Sequence, residues 1–136
     1  MTIQPGDFGT AISCIDGRVQ QPVSDWLKLY CHVRWVDLVT EPGPDKLLAE
    51  GPAGTIEAVR QKVTFSVRMH HSEVVAVSGH HDCAANPATV EEHREQIKRG
   101  VEVVAGWDPR VRVVGLWVNE WGWVDLVCDH QPAGQG

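Results

Sequence analysis

Short apolar runs of strand length alternate along this chain with longer segments of helical period, and that alternation constrains the fold more than any other feature. Gly9 to Ile15, Arg34 to Val39 and Glu73 to Ser78 are each bounded by turn or polar residues, and the last carries Val74, Val75 and Val77. Such runs predict buried strands. Between the first two, Pro22 to His32 sets Val23, Trp26, Leu27 and Tyr30 at helical spacing, with Pro22 suited to a first helical turn. Thr55 to Met69 repeats the period with Ile56, Val59, Val63 and Val67, and Ala88 to Arg99 opens on Thr89-Val-Glu-Glu92, a capping-box pattern. Val111 to Val118 and Trp123 to Val127, joined through Asn119 to Gly122, read as a closing strand pair, while Glu41-Pro-Gly-Pro-Asp45 and Glu50-Gly-Pro-Ala-Gly54 read as loops. The expectation is an α/β fold: a mainly parallel β-sheet flanked by helices, with an antiparallel edge strand at the C-terminal end.

A chain of 136 residues, 43% hydrophobic and without repeat or linker, fits one domain over residues 1–136, with a frayed tail from about residue 130. The net charge is -6 and the basic residues are scattered, which excludes a phosphate-binding stripe and hence a nucleic-acid partner. No apolar run approaches the roughly 20 residues that cross a bilayer, and the first residues carry no export pattern. A soluble, cytoplasmic protein without a membrane partner is expected. Its four cysteines should then be free thiols. Cys31 and Cys128, among apolar neighbours, read as small buried hydrophobes.

Two motifs follow directly on predicted strands. Cys14-Ile-Asp-Gly-Arg18 follows the first; if the chain is still extended there, Cys14, Asp16 and Arg18 point the same way. Gly79-His-His-Asp-Cys83 follows the third, and its His80 and Cys83, three apart in a turn, can reach one ion together with Cys14. Two thiolates and one imidazole suit Zn2+, and three protein ligands leave a fourth position for water or substrate.

With both motifs in this order, the chain resembles the β-class carbonic anhydrases from about Thr10 to Val127. The resemblance implies zinc on Cys14, His80 and Cys83, with Asp16 and Arg18 as the catalytic dyad beside it. It implies a zinc lyase that hydrates CO2 reversibly to bicarbonate by a zinc-bound hydroxide, working as a homodimer or higher homo-oligomer. A hydrolase of COS or CS2 on the same site, or a non-catalytic zinc or anion-binding protein of the same fold, are the alternatives. The chain resembles a minimal member without the N-terminal helical arm. It departs from typical members at Asp37-Leu-Val-Thr-Glu-Pro-Gly43 and at Ala84-Ala85.

The remaining histidines read more plainly. His81 and Asp82 read as exposed loop residues, His70-His71 as a helix end without catalytic role, and His32, His93 and His130 as surface residues. Trp117, Trp121 and Trp123 cluster in the last hairpin, a composition that favours a subunit interface. No Cys-x-x-Cys, phosphate-loop or dinucleotide pattern is present, so no organic cofactor is expected.

Overall fold

A computed structural model describes residues 2–134. Its elements run β1 (Phe8–Cys14), α1 (Gln20–Cys31), β2 (Trp35–Glu41), α2 (Pro44–Glu50), α3 (Ala53–Met69), β3 (Val74–His80), α4 (Val90–Ala105), β4 (Arg112–Val118) and β5 (Val124–His130). The strands form one sheet in the order β2-β1-β3-β4-β5. β1 pairs in parallel with β2 and β3, β3 pairs in parallel with β4, and β5 closes the edge antiparallel to β4. This is the α/β architecture that the sequence predicts.

Strand order reverses between β1 and β3. From β1 the chain steps outward to β2; from β2 it crosses back to β3 and continues to β4. Right-handed crossovers running in opposite directions place their helices on opposite faces. Accordingly Val23 and Leu27 of α1 pack with Ala11, Ala76 and Leu116 on one face. Leu48, Val59, Val63 and Val101, from α2, α3 and α4, pack with Ile12, Val75 and Val77 on the other. β3 lies between the two layers and is buried at every position, which is why its sequence is apolar without alternation. The crevice beyond the carboxyl ends of strands at such a reversal is where open α/β sheets receive ligands.

α4 begins on the predicted capping box: the Thr89 hydroxyl accepts from the Glu92 backbone N–H at 3.1 Å, and the Glu92 carboxylate accepts from the Thr89 N–H at 3.4 Å. A cap of this kind stabilises a helix by about 1 kcal/mol. The helix runs past the predicted end at Arg99 because Gly100, Val101 and Val104 continue its buried stripe. His93 belongs to the same stripe. Expected at the surface, it is 2% exposed, because its helical phase with Ile97 and Gly100 turns it toward the sheet.

Three further differences have local causes. The segment read as a loop at Glu41 to Asp45 already enters α2 at Pro44, and Asp45 and Leu48 are buried; seven residues are too few to display a helical period. Cys31 and Cys128 are only half-buried, the first at the end of α1 and the second on the edge strand β5. β5 continues to His130, and the Ala133 N–H donates to the Pro109 carbonyl at 2.7 Å, so part of the expected frayed tail is tied down. Residues 135–136 of that tail lie outside the described residues. Trp117 is buried, whereas Trp121 and Trp123 are 71% and 70% exposed. No helix among the described residues is long and apolar enough to cross a membrane.

Candidate metal centre

β1 and β3 are neighbours, and each ends in a candidate metal ligand, Cys14 and His80. The chain leaves β3 through a turn sharpened by the left-handed backbone of Asp82, φ 57°, which swings Cys83 back toward the strand ends. The ligand atoms of Cys14, His80 and Cys83 all lie within 4.8 Å of one another, and all three residues are buried. The two sulfurs are 4.0 Å apart. A disulfide needs about 2.05 Å, whereas two thiolates on one tetrahedral ion, with bonds of about 2.3 Å, stand roughly 3.8 Å apart.

His80 tests whether the residues fit an ion. Its Nδ1–H donates to the His81 carbonyl at 2.7 Å, which fixes the tautomer with a lone pair on Nε2. That Nε2 is buried and has no hydrogen-bond partner. An unsatisfied buried acceptor costs on the order of 1–3 kcal/mol, a cost that a cation shared with the two sulfurs removes. Burial pushes the Cys83 thiol up, Cys14 beside it adds to the rise, and the backbone N–H groups of Ala85 and Asn86 oppose it. Donor set, spacing and orphaned nitrogen therefore fit Zn2+.

A turn, rather than strand alternation, brings Asp16 and Arg18 together. β1 stops at Cys14, and Asp16 to Val19 fold back with the Val19 N–H donating to the Asp16 carbonyl at 3.2 Å. Within that turn the Arg18 N–H donates to Asp16 Oδ1 at 2.9 Å. The guanidinium grips both carboxylate oxygens, Nε to Oδ1 at 3.0 Å and Nη2 to Oδ2 at 2.6 Å. Arg18 therefore holds the Asp16 carboxyl well below the usual carboxylate range.

Arg18 also reaches the second motif. Nη2 donates to the Asp82 carbonyl at 3.2 Å and Nη1 to its carboxylate at 3.4 Å. Asp82 is exposed, as its loop position predicts, but its link to Arg18 across 64 residues has no local signal in the sequence. His81 is half-exposed as expected, with Nδ1 3.9 Å from Glu120. His70 caps the end of α3 and pairs with Asp37 at 2.6 Å, far along the sheet from the cluster.

A sequence profile of the family described as "Putative carbonic anhydrase" matches residues 4–128. The chain belongs to this carbonic anhydrase family. It is a divergent member with the β-class fold. The β-carbonic anhydrase isoform I of Trichomonas vaginalis superposes with a TM-score of 0.61 at 13% identity, covering 96% of this chain and 88% of that one. The carbonic anhydrase of Glaciozyma antarctica gives 0.63 at 17%, covering 93% and 85%. An apo carbon disulfide hydrolase gives 0.63 at 13%, covering 97% and 81%. No curated protein matches this chain in sequence. The segment ending at Gly43 meets the loop after Cys83: a Cβ built on Gly43 would lie 3.3 Å from Ala85 Cβ.

Proposed function

We propose that this chain is a zinc lyase that interconverts CO2 and bicarbonate. The observation that carries the reading is the partnerless, buried His80 Nε2 clustered with two thiols at the strand reversal. Cys14, His80 and Cys83 would hold the ion. Zn2+ bound there supplies Lewis acidity and a water acidified enough to attack an electrophilic carbon near neutral pH. Asp16 and Arg18 are the proposed catalytic residues. The Asp16 carboxylate, kept ionised by Arg18, accepts a hydrogen bond from the attacking oxygen and orients its lone pair. Arg18 occupies both Asp16 oxygens and so keeps the carboxylate from competing for the ligand position itself.

Hydrolysis of a CO2-like molecule, COS or CS2, on the same residues is the second reading. It is supported by the fold shared with a carbon disulfide hydrolase and by the contact between the two divergent stretches. A homodimer or higher homo-oligomer is proposed on the exposed Trp121 and Trp123, whose rings lie 6.0 Å apart. Free thiols at all four cysteines are in keeping with a reducing, cytoplasmic setting.

The test is stopped-flow CO2 hydration from about pH 6.5 to 9 on protein holding about one zinc per chain, with Asp16→Ala as the paired control. Hydration that collapses in the variant supports the lyase. No rate above buffer, with CS2 or COS consumed instead, moves the assignment to the hydrolase. Inertness toward all three leaves a zinc or anion-binding protein.

A further inference from the structure

Beside the metal loop lies a polar cluster that the proposed chemistry does not use. Asp45, Asn86 and His93 come from the start of α2, the loop after Cys83 and the start of α4, and are 1%, 3% and 2% exposed. The Asp45 carboxylate is well supplied with donors. Oδ1 accepts from the Lys46 N–H at 2.9 Å and from Asn86 Nδ2 at 3.0 Å, and Oδ2 accepts from His93 Nδ1 at 2.6 Å. Asn86 Nδ2 also donates to Gln96 Oε1 at 2.7 Å. Trp117 covers the imidazole, with ring centroids 5.0 Å apart. Burying a carboxylate is costly even when it is paired, and such groups are retained in some proteins because they fix one arrangement of the chain.

The contacts show which arrangement is fixed here. Asp45 packs on Gly79, the residue before His80: a Cβ there would collide with the carboxylate and stand 3.1 Å from Ile97. At the other end of the loop the Asn86 N–H donates to the Cys83 carbonyl at 3.2 Å. One buried carboxylate thus abuts the start of the loop and, through Asn86, holds its end. His80 and Cys83 lie between these two anchor points.

We propose that Asp45, Asn86 and His93 are positioning residues for the metal centre, setting the separation of His80 and Cys83. The proposal rests on the reading of Cys14, His80 and Cys83 as zinc ligands. Losing the His93 donor strips one oxygen of Asp45, loosens Asn86 and lets the loop relax from the spacing an ion requires. Groups of this kind, one step removed from the metal, typically change affinity by 10–100-fold.

Three variants test it. His93→Phe keeps a ring and removes the donor, His93→Asn restores an N–H near the place of Nδ1 without the ring, and Gln96→Ala removes only the outer, half-buried partner of Asn86. Zn2+ affinity is measured by chelator competition, the Co2+ absorption spectrum reports ligand geometry, and melting of the metal-free protein reports the fold. His93→Phe is expected to bind Zn2+ about 10–100-fold more weakly with shifted Co2+ bands, His93→Asn to recover most of that loss, and Gln96→Ala to lose about three- to tenfold. Affinities of His93→Phe and Gln96→Ala within about twofold of wild type, whatever their melting temperatures, overturn the proposal. If His93→Phe does not fold, Gln96→Ala decides by the same criterion. A wild-type chain that binds no Zn2+ overturns the metal-centre reading and this proposal with it, whereas unchanged variants of a zinc-binding wild type overturn this proposal alone.

Discussion

Cys14 Sγ lies 4.0 Å from Cys83 Sγ across 69 residues of chain, with no disulfide between them. Two buried sulfurs at that separation, with the orphaned His80 Nε2 beside them, form a site that a soft divalent cation would stabilise. Binding to the folded chain alone raises its stability by about 2.7 kcal/mol when free zinc is 100 times the dissociation constant. The zinc-loaded protein is therefore expected to melt several degrees above the chelator-stripped protein. Cys83→Ser should abolish most of that difference and bind less than stoichiometric zinc by elemental analysis. Equal melting curves with and without zinc would refute the site.

The second prediction concerns Arg18. Its guanidinium meets both Asp16 oxygens in a bidentate fork while also reaching the Asp82 carbonyl. A lysine ammonium cannot reproduce that geometry. Arg18→Lys is expected to lower kcat/KM for CO2 by about 10-fold or more, and Asp16→Asn by about 10²–10⁴-fold, each with zinc content unchanged. Loss of zinc in either variant would instead place these residues in the structural support of the loop.

Much of this site is legible locally, and what is not depends on distant partners. β3 announces itself because Val74 to Val77 are buried on both faces, and Cys14 and His80 because each closes a strand. The turn that pairs Asp16 with Arg18 carries the short Asp-Gly-Arg signal, although an extended segment predicts the same proximity for the wrong reason. His93 is different. Its residue type suggests a surface position, and only the stripe it shares with Ile97, Gly100, Val101 and Val104 places it inside. Its partner Asp45 lies 48 residues away in a helix too short to announce itself, so no local pattern connects the two. The same holds for Arg18 and Asp82: topology, not periodicity, joins the two motif loops.

A third prediction follows from how α4 sits on the sheet. A Cβ on Gly115 would lie 2.7 Å from Ile97 Cγ2 and 2.8 Å from Cys128 Sγ. Neither neighbour can withdraw freely, since Ile97 is fully buried on the sheet-facing side of α4 and Cys128 is held in β5. Gly115→Ala should destabilise the fold by about 1–3 kcal/mol through overpacking. Urea unfolding measures this as a lower midpoint at unchanged slope. An unshifted midpoint would mean that α4 moves away from the sheet at little cost.

The last prediction concerns acid stability away from the metal loop. Arg112 donates to both oxygens of Asp129, Nε at 2.9 Å and Nη2 at 2.7 Å, across the β4–β5 edge. The guanidinium lowers the Asp129 carboxyl below its ordinary value, and the Gln131 amide adds to the effect while partial burial opposes it. A carboxyl depressed in the folded state stabilises the fold above its unfolded pKa of about 3.9. That contribution disappears as pH falls through the lower folded value, because only then is the folded carboxyl protonated as well. Both side chains are partly exposed, at 30% and 27%, so the pair contributes about 1 kcal/mol or less. Asp129→Asn is therefore expected to melt slightly below wild type at neutral pH, with the gap narrowing below about pH 4. Paired melting curves over that range decide it: a gap that stays constant into strong acid would mean that Asp129 acts through shape rather than charge.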